Sequence, residues 1–113
     1  MGDADVGAFG TLLELMRAQC AAGQIRATLH ADQEMLDEGF TLDDVVQAIQ
    51  VAQVLENYPD HRRGPCCLLY GITGRDRPVH IVCTTAQPVL VIITVYEPKP
   101  PKWVTPTQRR PRE

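Results

Sequence analysis

The side chains in this sequence that could do chemistry are His30, Glu56, Tyr58, His61, Arg62, Arg63, Arg77, His80 and Tyr96, lying at the ends of expected elements or on expected strands. Together they are the residue types that metal-free RNA cleavage uses. In that reaction the 2′-hydroxyl attacks its own phosphate, so the protein supplies a base, an acid and a cation for the developing charge. Histidine and glutamate serve as base or acid. Arginine meets a phosphate with paired hydrogen bonds, and an aromatic ring stacks on an extruded base. The candidate catalytic residues are His80, Glu56, His30 and Tyr96, and the candidate substrate contacts are Arg62, Arg63, Arg77 and Tyr58.

Each of these residues also has an ordinary structural use. His30 precedes a short helix and could cap or pack. His80 alternates with Val79 and Ile81, so it leaves the face those two share, to become either a site residue or a hydrogen-bonded core histidine. Glu56 and Tyr58 share one strand face, where a structural hydrogen bond serves as well as a role in a site. Arg62 and Arg63 lie in a polar loop, and His61 is expected to be exposed. There is no phosphate-binding glycine loop, no H-E-x-x-H and no zinc-finger spacing. No metal or cofactor is expected.

The elements that must position these groups follow from periodicity. Residues 8–22 place Phe9, Leu12, Leu13, Met16 and Cys20 near helical spacing, and Gly23 suits the position after a helix. Residues 25–29 suggest an edge strand, and residues 30–38 a short helix ended by Gly39. Thr41-Leu42-Asp43-Asp44 is a helix start with Asp44 at the capping-box position. Leu42, Val45, Val46, Ile49 and Ala52 then form one apolar stripe. Beyond it the period drops to two. Strands are expected over 54–58, 66–73, 79–84 and 89–96, with turns at 74–77 and 85–88. Short connections imply antiparallel neighbours, and the last strand, the most apolar, is expected at the centre. The result is one α+β domain over residues 1–97, with residues 1–7 frayed. Two or three helices cover one face of a curved, mostly antiparallel sheet of about four strands. Residues 98–113 form a proline-rich basic tail, expected to make no regular ladder and to be tacked down only by Trp103.

Residues 1–60 carry eleven acids and two bases, and residues 61–113 carry nine bases and three acids. The basic half could face nucleic acid or an acidic partner, or the two halves could attract each other inside one fold. The four cysteines, Cys20, Cys66, Cys67 and Cys83, form no C-x-x-C pair and read as buried thiols. No apolar run approaches the roughly 18 residues of a membrane span, and the acidic N-terminus is unlike a secretory leader. A cytoplasmic location and no membrane partner are expected.

Several short motifs resemble a family catalogued only as a domain of unknown function. They are His30-Ala31 with Met35, Gly39-Phe40, Glu56-Asn57-Tyr58-Pro59, Cys67-Leu68 with Gly71, Arg77-Pro78-Val79-His80-Ile81-Val82, and Thr94-Val95-Tyr96-Glu97-Pro98 with a later Trp103. The resemblance spans about residues 25–103. Such proteins are often encoded beside a small zinc-ribbon antitoxin and are thought similar to RelE- and MqsR-type ribonuclease toxins. It implies a RelE/barnase-like architecture, a toxin-like ribonuclease of a toxin-antitoxin pair, and roles for His30, Glu56, Tyr58, His80 and Tyr96. The chain departs from the pattern at Glu34 and Glu38, where arginines are common, and at Lys99, where an acid is common. The implied partners are RNA and a zinc-ribbon antitoxin. A homodimer through an edge strand and a non-catalytic protein-binding module are the alternatives.

Overall fold

The change of period near residue 53 divides helices from sheet. The computed structural model describes residues 4–62, 64–85 and 87–110. Helix α1 (Ala4–Ala21) begins ahead of the expected residue 8. Helix α2 (Leu29–Glu38) starts at Thr28, whose hydroxyl accepts the Ala31 N–H at 3.1 Å, and stops at Gly39 with φ 74°. Helix α3 (Leu42–Gln50) carries the expected capping box. The Thr41 hydroxyl accepts the Asp44 N–H at 3.1 Å, and the Asp44 carboxylate accepts the Thr41 N–H at 2.9 Å. These bonds satisfy donors that a helix start leaves free.

The sheet has five strands where about four were expected. They are β1 (Ile25–Ala27), β2 (Gln53–Tyr58), β3 (Cys66–Ile72), β4 (Pro78–Thr84) and β5 (Leu90–Tyr96), in the order β1-β5-β4-β3-β2. Only β1 runs parallel, to β5; the other pairs are antiparallel. The central strand is therefore β4, not the more apolar β5. Strand β5 is long enough to pair with β4 on one side and with the short β1 on the other. Where β1 ends, α2 takes over: the Glu34 carboxylate accepts the Val95 N–H and that of Glu38 accepts the Glu97 N–H, each at 2.9 Å. Glu34 and Glu38 thus satisfy backbone donors on an unpaired stretch of strand.

All three helices lie against one face. Met16, Ala31, Met35, Val45, Ala48 and Ile49 pack on Cys67, Leu69, Val79, Ile81, Cys83, Leu90, Ile92 and Val95. Gly71 sets the closest approach, since a Cβ there would stand 2.4 Å from the Ala48 carbonyl oxygen. The four cysteines are buried thiols that form no disulfide among the described residues. Cys66 and Cys67 point to opposite faces as adjacent strand residues must, with only Cys67 in the helix-side core. Two ion pairs, Asp44–Arg75 and Glu56–Arg109, join the acidic and basic halves.

The tail departs from expectation. Residues 98–110 include a two-stranded hairpin, β6 (Trp103–Thr105) and β7 (Gln108–Arg109). Its prolines do not prevent pairing because Pro98, Pro100 and Pro101 precede the ladder and Pro106 sits in its turn. The hairpin lies on the sheet face that the helices leave open, with Trp103 buried against His80.

Candidate functional site

Alternation along β4 turns Val79, Ile81 and Cys83 toward the helices, which leaves His80 on the other face. Register then places Tyr70, His80 and Tyr96 side by side across three strands. A register shift in β2 brings in the carboxylate. Val54 stands opposite Leu69, a helix-side residue, whereas Glu56 stands opposite Leu68 on the open face. Simple alternation would put Val54 and Glu56 on the same face. The extra residue, Leu55, lets the valine pack under the helices while Glu56 and Tyr58 face outward. A second shift at Ile93 gives Ile92 and Val95 to the core and still aligns Tyr96 with His80.

These groups meet beneath the tail hairpin. The His80 ring lies 4.3 Å from that of Trp103 at 90° and 5.2 Å from that of Tyr96. Its Nε2 is 2.6 Å from the Pro106 carbonyl oxygen and its Nδ1 is 3.1 Å from the Tyr96 hydroxyl. A carbonyl can only accept, so Nε2 carries the proton and Nδ1 accepts from the phenol. Burial pushes the His80 pKa down, against the Pro106 bond that raises it, and the charge of Arg109 lowers it further. The imidazole is neutral.

Beside it, Arg109 donates from Nε and Nη2 to the two Glu56 carboxylate oxygens, at 2.5 and 2.7 Å. The Tyr58 hydroxyl donates to the same carboxylate. Arg109, chiefly, and Tyr58 hold the Glu56 pKa at about 2. Burial, then the carboxylate's demand for the phenol proton, lifts Tyr58 to about 12. Burial also raises Tyr96, and Glu56 raises Arg109. The guanidinium carbon sits 4.7 Å over the Trp103 ring, and Lys102 Nζ lies 5.8 Å from the centre of the Tyr96 ring. The cluster therefore holds a neutral imidazole, an ionised carboxylate, two phenols and two cations. In the conformation described, the hairpin closes over the imidazole: His80 has no solvent exposure, and both its nitrogens are engaged.

Of the expected site residues, Glu56, Tyr58, His80 and Tyr96 come together. The others lie elsewhere. His30 is in the first turn of α2, exposed, 3.3 Å from Glu34. Arg77 stacks on Phe40 at 3.9 Å and binds Glu97 and the Gly39 carbonyl, which commits it to joining the β3–β4 turn to α2. Arg62 is exposed in the loop after β2, and Arg63 is outside the described residues. The cations at the cluster, Arg109 and Lys102, come from the tail. Its basic composition was the only sequence signal for them, because nothing local tells which strand a tail residue will meet. Among the described residues no group of three or more His, Cys, Asp or Glu side chains could hold a metal ion. Nor, among the described residues, is any helix long and apolar enough to cross a membrane.

Comparison with known proteins finds no match among curated proteins or solved structures. A family model described as Domain of unknown function (DUF4258) matches residues 27–97, which takes in Glu56, Tyr58, His80 and Tyr96 but stops short of the hairpin. On that match, covering more than half of its length, the chain belongs to the DUF4258 family.

Proposed function

We propose that the cluster under the hairpin is the latent site of a toxin-like ribonuclease that needs no metal, with residues 98–110 as its cover. The observation that carries this reading is the meeting of Glu56, Tyr58, His80 and Tyr96, from three strands, on the sheet face without helices. Two bulges are needed to bring them there, and bulges are common beside active sites.

The chemistry follows from lifting the hairpin. Withdrawal of Arg109 frees the Glu56 carboxylate, and withdrawal of Pro106 frees His80 Nε2. One of the two takes the proton of a ribose 2′-hydroxyl. The 2′-oxygen forms a bond to phosphorus, the P–O5′ bond breaks, and the protonated member of the pair delivers a proton to the departing 5′-oxygen. The products are a 2′,3′-cyclic phosphate and a free 5′-hydroxyl. Tyr96 orients the imidazole through Nδ1, and Arg62, in the loop that follows β2 and stays behind when the tail lifts, is the cation that balances charge on the phosphate oxygens.

The test is incubation of the full chain and of Trp103→Ala with single-stranded RNA in the presence of a chelator. The variant is expected to release cyclic-phosphate ends faster than the parent, to lose that activity with His80→Ala added, and to spare the same oligonucleotide with 2′-deoxyribose. Absence of cyclic phosphate from both folded proteins refutes the reading.

The complete burial of His80 favours a second reading, a binding module in which the cluster serves only to clasp the tail. The outer edge of β2 would then supply strand addition to a second copy or to a zinc-ribbon partner. A stable complex with no RNA cleavage by Trp103→Ala supports it.

A further inference from the structure

Away from the sheet's open face, α2 turns two large apolar side chains into solvent. Leu29 is 88% exposed and Leu36 77% exposed. Seven residues apart, they share one line along the helix, about 10 Å from each other. Beside Leu36 a groove of about 370 Å³ opens between α2 and the start of α3, lined by Asp32, Met35, Leu36, Phe40 and Leu42. Leu42 is 42% exposed. Leucines held outward on a capped, ordered helix expose apolar surface that burial against a partner would stabilise.

Charge indicates the partner. At 100° per residue, Asp32 flanks the leucine line on one side and Asp37 on the other, and Asp43 is exposed beside Leu42. Among the described residues Asp37 accepts from the Gln33 amide, and neither Asp32 nor Asp43 has an ion pair. Glu34 and Glu38, also on α2, are acceptors for β5 and add negative charge. The bases within reach are engaged: Arg75 with Asp44 and the Gly39 carbonyl, Arg77 with Glu97, the Gly39 carbonyl and the Phe40 ring, and His30 with Glu34. The surface is thus an apolar line with uncompensated acids on both sides.

We propose that the α2–α3 face docks a basic amphipathic helix of a partner protein. Apolar residues spaced two turns apart on that helix pack between Leu29 and Leu36, one of them enters the groove beside Phe40, and flanking lysines or arginines meet Asp32, Asp37 and Asp43. A helix-in-groove contact uses this i, i+3/i+4, i+7 spacing, and the flanking charges select a basic helix over an acidic one. The proposal stands whether or not the hairpin site cleaves RNA, because the two surfaces share no residue.

The probe is a synthetic helical peptide of about 14 residues, roughly four turns, made of leucine and lysine with the leucines on one face. A leucine–glutamate peptide of the same pattern is the control. Binding to the full chain is followed by leucine methyl NMR and calorimetry. The lysine peptide is expected to shift the Leu29, Leu36 and Leu42 methyls first. Leu36→Asn, an exposed position that leaves folding intact, is expected to weaken it about tenfold, and Asp32→Asn with Asp37→Asn by a similar factor. Val104→Asn on the hairpin should leave it unchanged. Equal binding of the glutamate peptide, shifts centred on other residues, or undiminished binding by Leu36→Asn overturns the proposal, as does the lack of any shift at millimolar peptide.

Discussion

Arg109→Gln removes the guanidinium that closes the hairpin over the cluster. Glu56, with an ordinary pKa near 4.5, is held at about 2, which corresponds to a preference for its ionised form of about 3 kcal/mol. That is an upper bound, because the Arg109 side chain is 40% exposed and that of Glu56 29%. Solvent screening reduces the contribution to about 1–2 kcal/mol. A carboxylate whose pKa is depressed by folding stabilises the fold above pH 4.5, and that stability is lost as pH falls from 4.5 towards 2. The parent is therefore expected to lose hairpin docking through that window, whereas the variant starts lower and changes little across it. Carboxyl-carbon NMR reads the Glu56 midpoint directly. It is expected to rise in Arg109→Gln most of the way towards 4.5, with Tyr58 retaining part of the depression. Trp103 is the only tryptophan, so its emission reports the hairpin alone. At neutral pH the variant should shift to the red as the open state gains about 5–30-fold. An unchanged Glu56 midpoint, or an unshifted emission once the midpoint has moved, refutes the assignment of Arg109 as the latch.

Other outcomes can be checked by standard measurements. Gly71→Ala should destabilise the fold by more than about 2 kcal/mol in urea denaturation, because the added methyl meets the α3 backbone and not a movable side chain. Thr41→Ala should cost about 1 kcal/mol through the lost capping box, with hydrogen exchange rising first in the opening turn of α3. Burial depresses the His80 pKa below 6.5, so the unfolded chain binds more protons below that pH. Stability is accordingly expected to fall as pH drops below 6.5, and His80→Gln should flatten that part of the profile.

The alternation that the sequence shows around residue 80 carried more information than any motif did. Val79 and Ile81 had to go to the core, and His80 therefore to the opposite face. Glu56 could not be placed this way. A one-residue bulge decides which face a strand residue takes, and Val54-Leu55-Glu56 contains no glycine or proline to announce one. Lys102 and Arg109 were harder still. Their distance along the chain from Tyr96 and Glu56 is bridged only by the way the hairpin folds back. His30 and Arg77 fell outside the cluster for a related reason. Residue type suggested a site, but the nearest partners, Glu34 for one and Glu97 and Phe40 for the other, had already taken them up.

Properties set by a few neighbouring residues could be read without coordinates. The helix start at Thr41, the stop at Gly39 and the two-residue period of the strands each depend on local sterics and hydrogen bonding. Strand order, the parallel pairing of β1, the two bulges and the seat of the tail depend on contacts between residues far apart in sequence. Many chain paths satisfy the same local preferences, and only packing of the whole chain selects among them.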